Sequence, residues 1–243
     1  MSVRPRKELG QHFLVDENIL GVIGRLAALE ADDVVLEIGP GLGVLTRYLA
    51  DRVSLVHAIE IDRSLESHLA GIPNVRLEVG DALQLDLVDL EPPPSKLVSN
   101  LPYNVATPIV VESLDGLPAL GSWCVMVQRE VADRFFAGPG TKAYGAVSVL
   151  IQLAAQRTGF HPVSRTVCRP PPNVDSALVA FQRRPGVVFG EEWDRLAERV
   201  HGAFAHRRKT VANSLALAGL EPPTADQASR RAEQLAPPEF LTL

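Results

Sequence analysis

An amide, a proline and a phenol stand together at Asn100-Leu101-Pro102-Tyr103, directly after the short apolar run Lys96-Leu97-Val98. Such a run reads as the end of a buried strand. Asn100 brings an acceptor oxygen and an NH2 group that need partners when buried. Pro102 removes a backbone donor and stiffens the turn. Tyr103 adds a flat ring beside the amide. An amide oxygen, free backbone carbonyls (Leu101 or Pro102) and a stacking face together suit the edge and face of a planar nitrogen base.

Upstream, Glu37-Ile38-Gly39-Pro40-Gly41-Leu42-Gly43 stands where a first strand meets a first helix. Glycines there let the chain turn tightly and let a ligand approach the backbone. Glu60 ends the next strand, where an acidic side chain can take both ribose hydroxyls. Asp81, within Gly80-Asp81-Ala82, follows the third strand and is placed to accept from an adenine amino group. A dinucleotide fits less well, because the third glycine of its fingerprint falls where this chain has Val44. Glu37 beside the loop is awkward for a pyrophosphate and suits a cation. S-adenosylmethionine carries an ammonium and a sulfonium and no phosphate, and is the expected ligand.

The elements that must position these groups follow from periodicity. Asp16 is a candidate cap for a helix through Ile19, Leu20, Ile23, Leu26 and Ala27. Strands are expected at 33–38, 55–59, 75–79, 97–98 and 123–127, and helices at 44–50, 62–69, 109–114, 130–136 and 146–155. This alternation predicts an α/β fold, a parallel sheet with helices on both faces. Segments 157–163 and 177–181 read as a terminal antiparallel pair around Pro170-Pro171-Pro172. Beyond Pro185-Gly186 the pattern turns helical at 193–204 and 210–217, and more weakly at 225–235. The expected domains are therefore 1–185 and a small helical one at 186–243. Residues 1–15 show no clear periodicity.

With 243 residues, 46% of them hydrophobic and 22% charged, the chain has ordinary globular composition and length for a sizeable core. Its two cysteines, Cys124 and Cys168, lack metal-type spacing, which argues against a zinc site or a disulfide framework and for a reducing compartment. A charged start without an apolar run, and no apolar stretch long enough to span a bilayer, lead to the expectation of a cytoplasmic protein. A net charge of −5 argues mildly against a nucleic-acid partner. Local clusters run the other way: Arg4, Arg6 and Lys7 at the start, Arg183-Arg184, and His206-Arg207-Arg208-Lys209 near the end.

Taken together, Glu37 to Gly43, Glu60, Gly80-Asp81-Ala82 and Asn100 to Asn104 resemble the ribosomal RNA adenine dimethyltransferases, most closely their bacterial small-subunit branch. The resemblance extends to Leu9-Gly10-Gln11-His12-Phe13-Leu14, Gln128 to Ala132, Lys142 to Gly145, Pro170 to Ala177, Phe204 to Thr210 and Arg231 to Leu235. It implies a Rossmann-like methyltransferase sheet. The implied reaction is S-adenosylmethionine-dependent dimethylation of the N6 amines of two adjacent adenosines, in the 3′-terminal hairpin of 16S ribosomal RNA within the 30S subunit. A monomer without metal is expected. Implied cofactor contacts are His12, Leu14, Gly39, Glu60, Asp81 and Asn100, to which the loop adds Glu37, Gly41 and Gly43 and the third strand Ala82. Asn100, Leu101, Pro102 and Tyr103 are the expected catalytic group. Arg4, Arg6, Lys7, Arg207, Arg208 and Lys209 are expected to grip RNA phosphates.

Two positions depart from the family pattern. His12 stands where Asn is usual, and Cys168 stands where a Phe would form a second wall around the target base; Tyr103 alone, or Phe160 or Phe181, is then expected to hold the base. Other readings share parts of this pattern: a large-subunit methyltransferase of the antibiotic-resistance type, a weakly catalytic ribosome-assembly factor, and a small-molecule methyltransferase.

Overall fold

In a computed structural model, residues 5–6, 9–223 and 226–243 are described. A two-residue strand β1 (Phe13–Leu14) leads into α1 (Glu17–Ala27), where the Asp16 carboxylate accepts the Asn18 N–H and closes the first turn. Ile19, Leu20, Ile23 and Ala27 line its buried face. There follow β2 (Val34–Ile38), α2 (Val44–Ala50), β3 (Leu55–Glu60), α3 (Glu66–Leu69), β4 (Val75–Val79), β5 (Lys96–Asn100), α4 (Ala106–Gly116) and β6 (Ser122–Gln128). Then come α5 (Arg129–Phe135), α6 (Ala146–Ala154), β7 (Ala155–Val163), β8 (Cys168–Arg169), β9 (Ser176–Arg183), α7 (Glu191–Ala205) and α8 (Val211–Leu217).

Seven strands form one sheet in the order β4-β3-β2-β5-β6-β9-β7. The first five are mutually parallel and β9 runs antiparallel to β6. The apolar runs of β2, β5 and β6 are buried on both faces, as central parallel strands covered by helices must be. After β2 the chain moves outward through β3 and β4, then returns to β5 on the other side. The crevice between the carboxyl ends of β2 and β5 is thus the switch point, where open sheets of this kind receive ligands.

Periodicity gave the parallel strands to within a residue or two. It missed β1, whose residues Phe13 and Leu14 pair antiparallel with Arg169 and Cys168. A two-residue strand carries no period, and its partner lies far along the chain. The expected helix at 62–69 is a 3-10 turn at Arg63–Leu65 followed by the short α3, started by the Asp62 side chain on Ser64 N–H. The helix expected at 225–235 is absent; 3-10 turns at Asp226–Ser229 and Ala232–Gln234 stand instead, and Ala225 lies outside the described residues. Local side-chain bonds such as Arg231 N–H to Gln234 Oε1 satisfy the backbone there one turn at a time.

Two compact units divide the chain: Met1–Arg129 with Arg157–Gln182, and Glu130–Gln156 with Arg183–Leu243. The second thus starts at Glu130, inside the 1–185 stretch that the sequence reading assigned to the sheet domain, and resumes at Arg183. Within it α6 packs against α7 and the C-terminal 3-10 turn at Pro237–Thr242. The buried Tyr144 hydroxyl donates to the Leu235 carbonyl over 2.7 Å, and Phe204 stacks on Phe240 with centroids 5.7 Å apart. A composition shift marks one boundary and cannot show a unit built from two separated segments.

Tyr144→Phe removes one hydroxyl and leaves the Leu235 carbonyl without its donor. A loss of about 1–3 kcal/mol in urea denaturation is expected; unchanged stability would show that the two segments are held together by packing alone.

Candidate functional site

A cavity of ≈ 220 Å³ opens at the switch point. Its walls come from the turn after β2 (Gly39, Gly41), the end of β3 (Glu60, Ile61), the turn after β4 (Asp81, Ala82) and the end of β5 with its turn (Asn100 to Tyr103). Segment Leu9 to Phe13 closes the remaining side.

The glycine turn approaches its neighbours too closely for a side chain. Gly39 (φ +75°) and Gly41 (φ +60°) both adopt left-handed backbone. A Cβ on Gly39 would lie 3.1 Å from Pro102, and one on Gly41 would lie 2.9 Å from the Phe13 ring. Gly43 does not line the cavity; it precedes α2 as its N-terminal cap.

Glu60 is buried at 4% exposure and each of its oxygens is engaged. Oε2 accepts the Gly41 N–H (3.0 Å) and Oε1 accepts the Asp62 N–H (2.9 Å). Burial raises its pKa, opposed by those two bonds. A carboxylate oxygen has more than one acceptor direction, so both remain able to take a hydroxyl. Asp62 in turn accepts from Gln11 Nε2 at 2.9 Å and pairs with Arg6 at 3.6 Å. Its pKa is lowered overall: burial pushes it up, but bonds from Ser64 and Gln11 and the Arg6 charge outweigh this. Asp81 Oδ1 accepts the Leu83 N–H, which orients the carboxyl and leaves Oδ2 for a ligand.

At the other wall, Asn100 Nδ2 donates to the His12 carbonyl over 3.1 Å. That bond fixes the amide and leaves Oδ1 as its acceptor for another group. The Pro102 carbonyl already accepts the Val105 N–H. Leu101, whose N–H donates to the Met126 carbonyl, therefore offers the freer backbone oxygen of the two. The Tyr103 hydroxyl is bonded to Ser176, and its ring lies 5.4 Å from the His12 ring at a tilt of 31°. Burial raises the Tyr103 pKa, so its phenol stays neutral at ordinary pH. His12 Nδ1 is 2.7 Å from the Pro170 carbonyl, an acceptor only, so this nitrogen carries the proton.

Several expected site residues lie elsewhere. Leu14 and Glu37 line a smaller adjoining chamber of ≈ 30 Å³ together with His12, Gly39, Gly41 and Asn100. Cys168 is 2% exposed and belongs to the core around Leu14, Ile19 and Leu178; it does not itself line the cavity but lies close enough to Tyr103 to help raise that phenol's pKa, and burial pushes its own thiol up to about 11. Phe181 is fully buried and stacked on Trp123, and the Arg129 guanidinium lies over the Phe160 ring; neither ring lines the cavity. The ring beside Tyr103 is that of His12. Arg4 and Lys7 lie outside the described residues, and Arg6 is held by Asp62. Arg207, Arg208 and Lys209 are exposed in the turn between α7 and α8, with Arg207 3.9 Å from Glu233.

Sequence reasoning missed Gln11, Asp62 and Ser176, each of which holds a site residue in place. Only Asp62 gave a local signal, two residues after Glu60. Ser176 and Gln11 reach Tyr103 and Asp62 across long sequence separations. Among the described residues no group of three or more His, Cys, Asp or Glu could hold a metal ion, and no helix is long and apolar enough to cross a membrane.

Comparison with known proteins matches residues 3–234 to the ribosomal RNA adenine dimethylase family model. The small-subunit ribosomal RNA methyltransferase A of Rubrobacter xylanophilus is 45% identical, covering 99% of this chain and 94% of that protein. Its Kineococcus radiotolerans counterpart is 42% identical over 100% and 86%. Among solved structures, a dimethyladenosine transferase from Plasmodium falciparum shares the fold (TM-score 0.80, 24% identity, 95% of each chain). The 23S ribosomal RNA methyltransferase ErmE superposes with a TM-score of 0.67 at 28% identity, covering 94% of this chain and 98% of that one.

Gly41→Ala places a methyl against Phe13 and forces left-handed backbone on a residue with a Cβ. A stability loss of about 1–2 kcal/mol from the backbone alone is expected, read as a melting temperature lower by roughly 2–8 °C. A wild-type melting curve would contradict the close approach.

Proposed function

The chain belongs to the ribosomal RNA adenine dimethylase family, and is thereby an S-adenosylmethionine-type methyltransferase acting on ribosomal RNA; from that premise we propose the finer activity. The protein dimethylates N6 of two adjacent adenosines in the 3′-terminal hairpin of 16S RNA within the small subunit, as a monomer and without metal. Relatives named for the small subunit, 40–45% identical, favour this over the large-subunit reading. The observation that carries the reading is the Asn100 amide, held through Nδ2 on the His12 carbonyl with Oδ1 left as acceptor next to Tyr103.

The cavity fits the cofactor on the chain's own terms. Gly39 and Gly41 leave a cradle that a Cβ would fill, Glu60 keeps acceptor capacity at the ribose position, and among the described residues no Lys or Arg lines the walls to oppose a cation. Asp81 Oδ2 takes the adenine amino group, while Ala82 and the exposed Ile61 flank its ring. Bound there, S-adenosylmethionine supplies an electrophilic methyl.

The target amine is a weak nucleophile because its lone pair is delocalised into the ring. Asn100 Oδ1 and the Leu101 carbonyl accept its two hydrogens and draw the nitrogen toward a pyramidal shape. Neither group needs to remove a proton before transfer; the excess proton leaves to water as the amine becomes cationic. Tyr103, neutral and held by Ser176, stacks on the extruded base, a contact worth roughly 1–3 kcal/mol. Most of the acceleration is then alignment and fixed dipoles. Arg207, Arg208 and Lys209 meet RNA phosphates and make binding salt-dependent.

Asn100→Ala is expected to bind S-adenosylmethionine within several-fold of wild type while losing at least roughly a hundredfold in turnover, the size of effect expected for one preorganised electrostatic partner. Full turnover would remove Asn100 from the mechanism. Glu60→Ala is expected to weaken cofactor affinity more than tenfold by calorimetry, and an unchanged Kd would refute the ribose assignment. Mass spectrometry of RNA from unmodified small and large subunits, each incubated with protein and cofactor, tests the whole reading: two dimethylated adenosines in 16S RNA are expected, and methylation confined to 23S RNA would overturn it.

A further inference from the structure

We propose that Val174, in the turn between β8 and β9, is the apolar wedge that takes the place of the target adenosine in its own strand while that base is drawn out onto Tyr103. The inference rests on the reading of the protein as an RNA adenine methyltransferase and deepens it, because a stacked base must leave its neighbours before an enzyme can act on it.

The turn is built to be stiff. Pro170, Pro171 and Pro172 fix three successive φ angles and bring no N–H. Pro172 is buried, and both ends of the turn are tied down. The Pro170 carbonyl accepts the His12 Nδ1–H over 2.7 Å. At the other end the Asp175 carbonyl accepts the Arg129 N–H at 3.0 Å, and its Oδ1 accepts the Arg165 N–H at 3.3 Å. The Arg165 guanidinium donates to the Asn173 carbonyl at 3.4 Å. Val174 lies between these anchors with 47% of its surface exposed.

A lone exposed valine is ordinary on a protein surface. Its place and its rigidity set this one apart. Ser176, which bonds the Tyr103 hydroxyl, stands two residues further on. Two residues of chain span at most roughly 7 Å. Pro170 holds His12, whose ring lies 5.4 Å from that of Tyr103. The turn is thus fastened at both ends to the two rings of the base site, and the residue between is apolar and open to solvent.

What such a residue fits follows from the physics of extrusion. Removing one base opens the flat faces of its neighbours to water, and proteins that distort nucleic acids cover such faces with an inserted apolar side chain. A β-branched side chain has few rotamers to lose, and a turn already ordered adds little further cost on binding. The charge nearby favours RNA over an apolar protein surface. Arg165 and Arg169, just before the turn, are both exposed, and among the described residues the Arg169 guanidinium engages no partner. The turn's one acid, Asp175, is occupied by the Arg165 N–H. Phosphates beside the vacated position meet these cations, which fixes the register of the wedge. No covalent bond forms or breaks in this step; Val174 shifts only the balance between stacked and extruded base.

Single-turnover methylation of unmodified small subunits, with the full chain in excess and S-adenosylmethionine saturating, isolates the step. In Val174→Ser the first-turnover rate is expected to fall about tenfold, the size of effect that burial of one valine side chain provides. Val174→Ile is expected to restore it. Melting temperature and S-adenosylmethionine affinity by calorimetry stay at wild-type values in both; should Ser lower the melting temperature, Val174→Ala takes its place. Small subunits reconstituted with 2-aminopurine at the target position read extrusion directly: its fluorescence rises on binding wild type or Val174→Ile, and rises less with Val174→Ser. A serine variant with wild-type rate and fluorescence overturns the inference. So does one that binds subunits weakly yet extrudes the base normally once bound, the behaviour of a valine seated on a ribosomal protein. Failure of wild type to methylate small subunits removes the reading of the protein as well.

Discussion

One buried carboxylate joins the separate loops into a site. Glu60 accepts the N–H of Gly41 through one oxygen and that of Asp62 through the other, so the turn after β2 and the end of β3 share a single anchor. Asp62 passes the connection to Gln11 and Arg6, and the segment they hold carries His12, whose carbonyl fixes the Asn100 amide. The end of β5 is thereby tied, through four links, to the ends of β2 and β3. Hydrogen bonds to charged acceptors are the stronger kind, and here they are concentrated where backbone must be held open for a ligand.

Sheet topology decides where that network can exist. Because the chain leaves β2 outward and comes back to β5, the loops at their carboxyl ends diverge and leave a crevice that continuous winding would have filled. The acids at its rim then set the sign of what enters. Glu60 and Asp81 line the space, Glu37 lies in the chamber adjoining it, and among the described residues no lysine or arginine lines it, a field suited to a cation and hostile to a pyrophosphate.

Much of this was legible from the amino-acid order. Strands of central position announced themselves as short apolar runs, and the glycine turn, Glu60, Asp81 and Asn100 each fell at a strand end because a period-two signal stops there. What escaped was everything that depends on distant partners. The strand at Phe13 and Leu14 exists only because Cys168 and Arg169 pair with it, and Ser176 acts only through a tyrosine far upstream. Cys168 shows the same dependence: its pairing with Leu14 buries it in the core while leaving its thiol close enough to Tyr103 to reinforce the rise that burial gives that phenol's pKa. The net charge of −5 likewise pointed away from RNA, since a sum over the chain erases the cluster at Arg207, Arg208 and Lys209.

The split make-up of the second unit bears on how the protein is made. Residues 130–156 leave the ribosome well before 183–243 do, and Tyr144 finds its acceptor only once Leu235, 91 residues later, has been translated. The apolar face of α6, with Val149, Leu150 and Ile151, must therefore wait in a nascent chain whose α7 partner has not yet been synthesised. A premature stop between Arg183 and Glu191 would release a finished sheet carrying an orphaned helix, a natural target for chaperones and proteases.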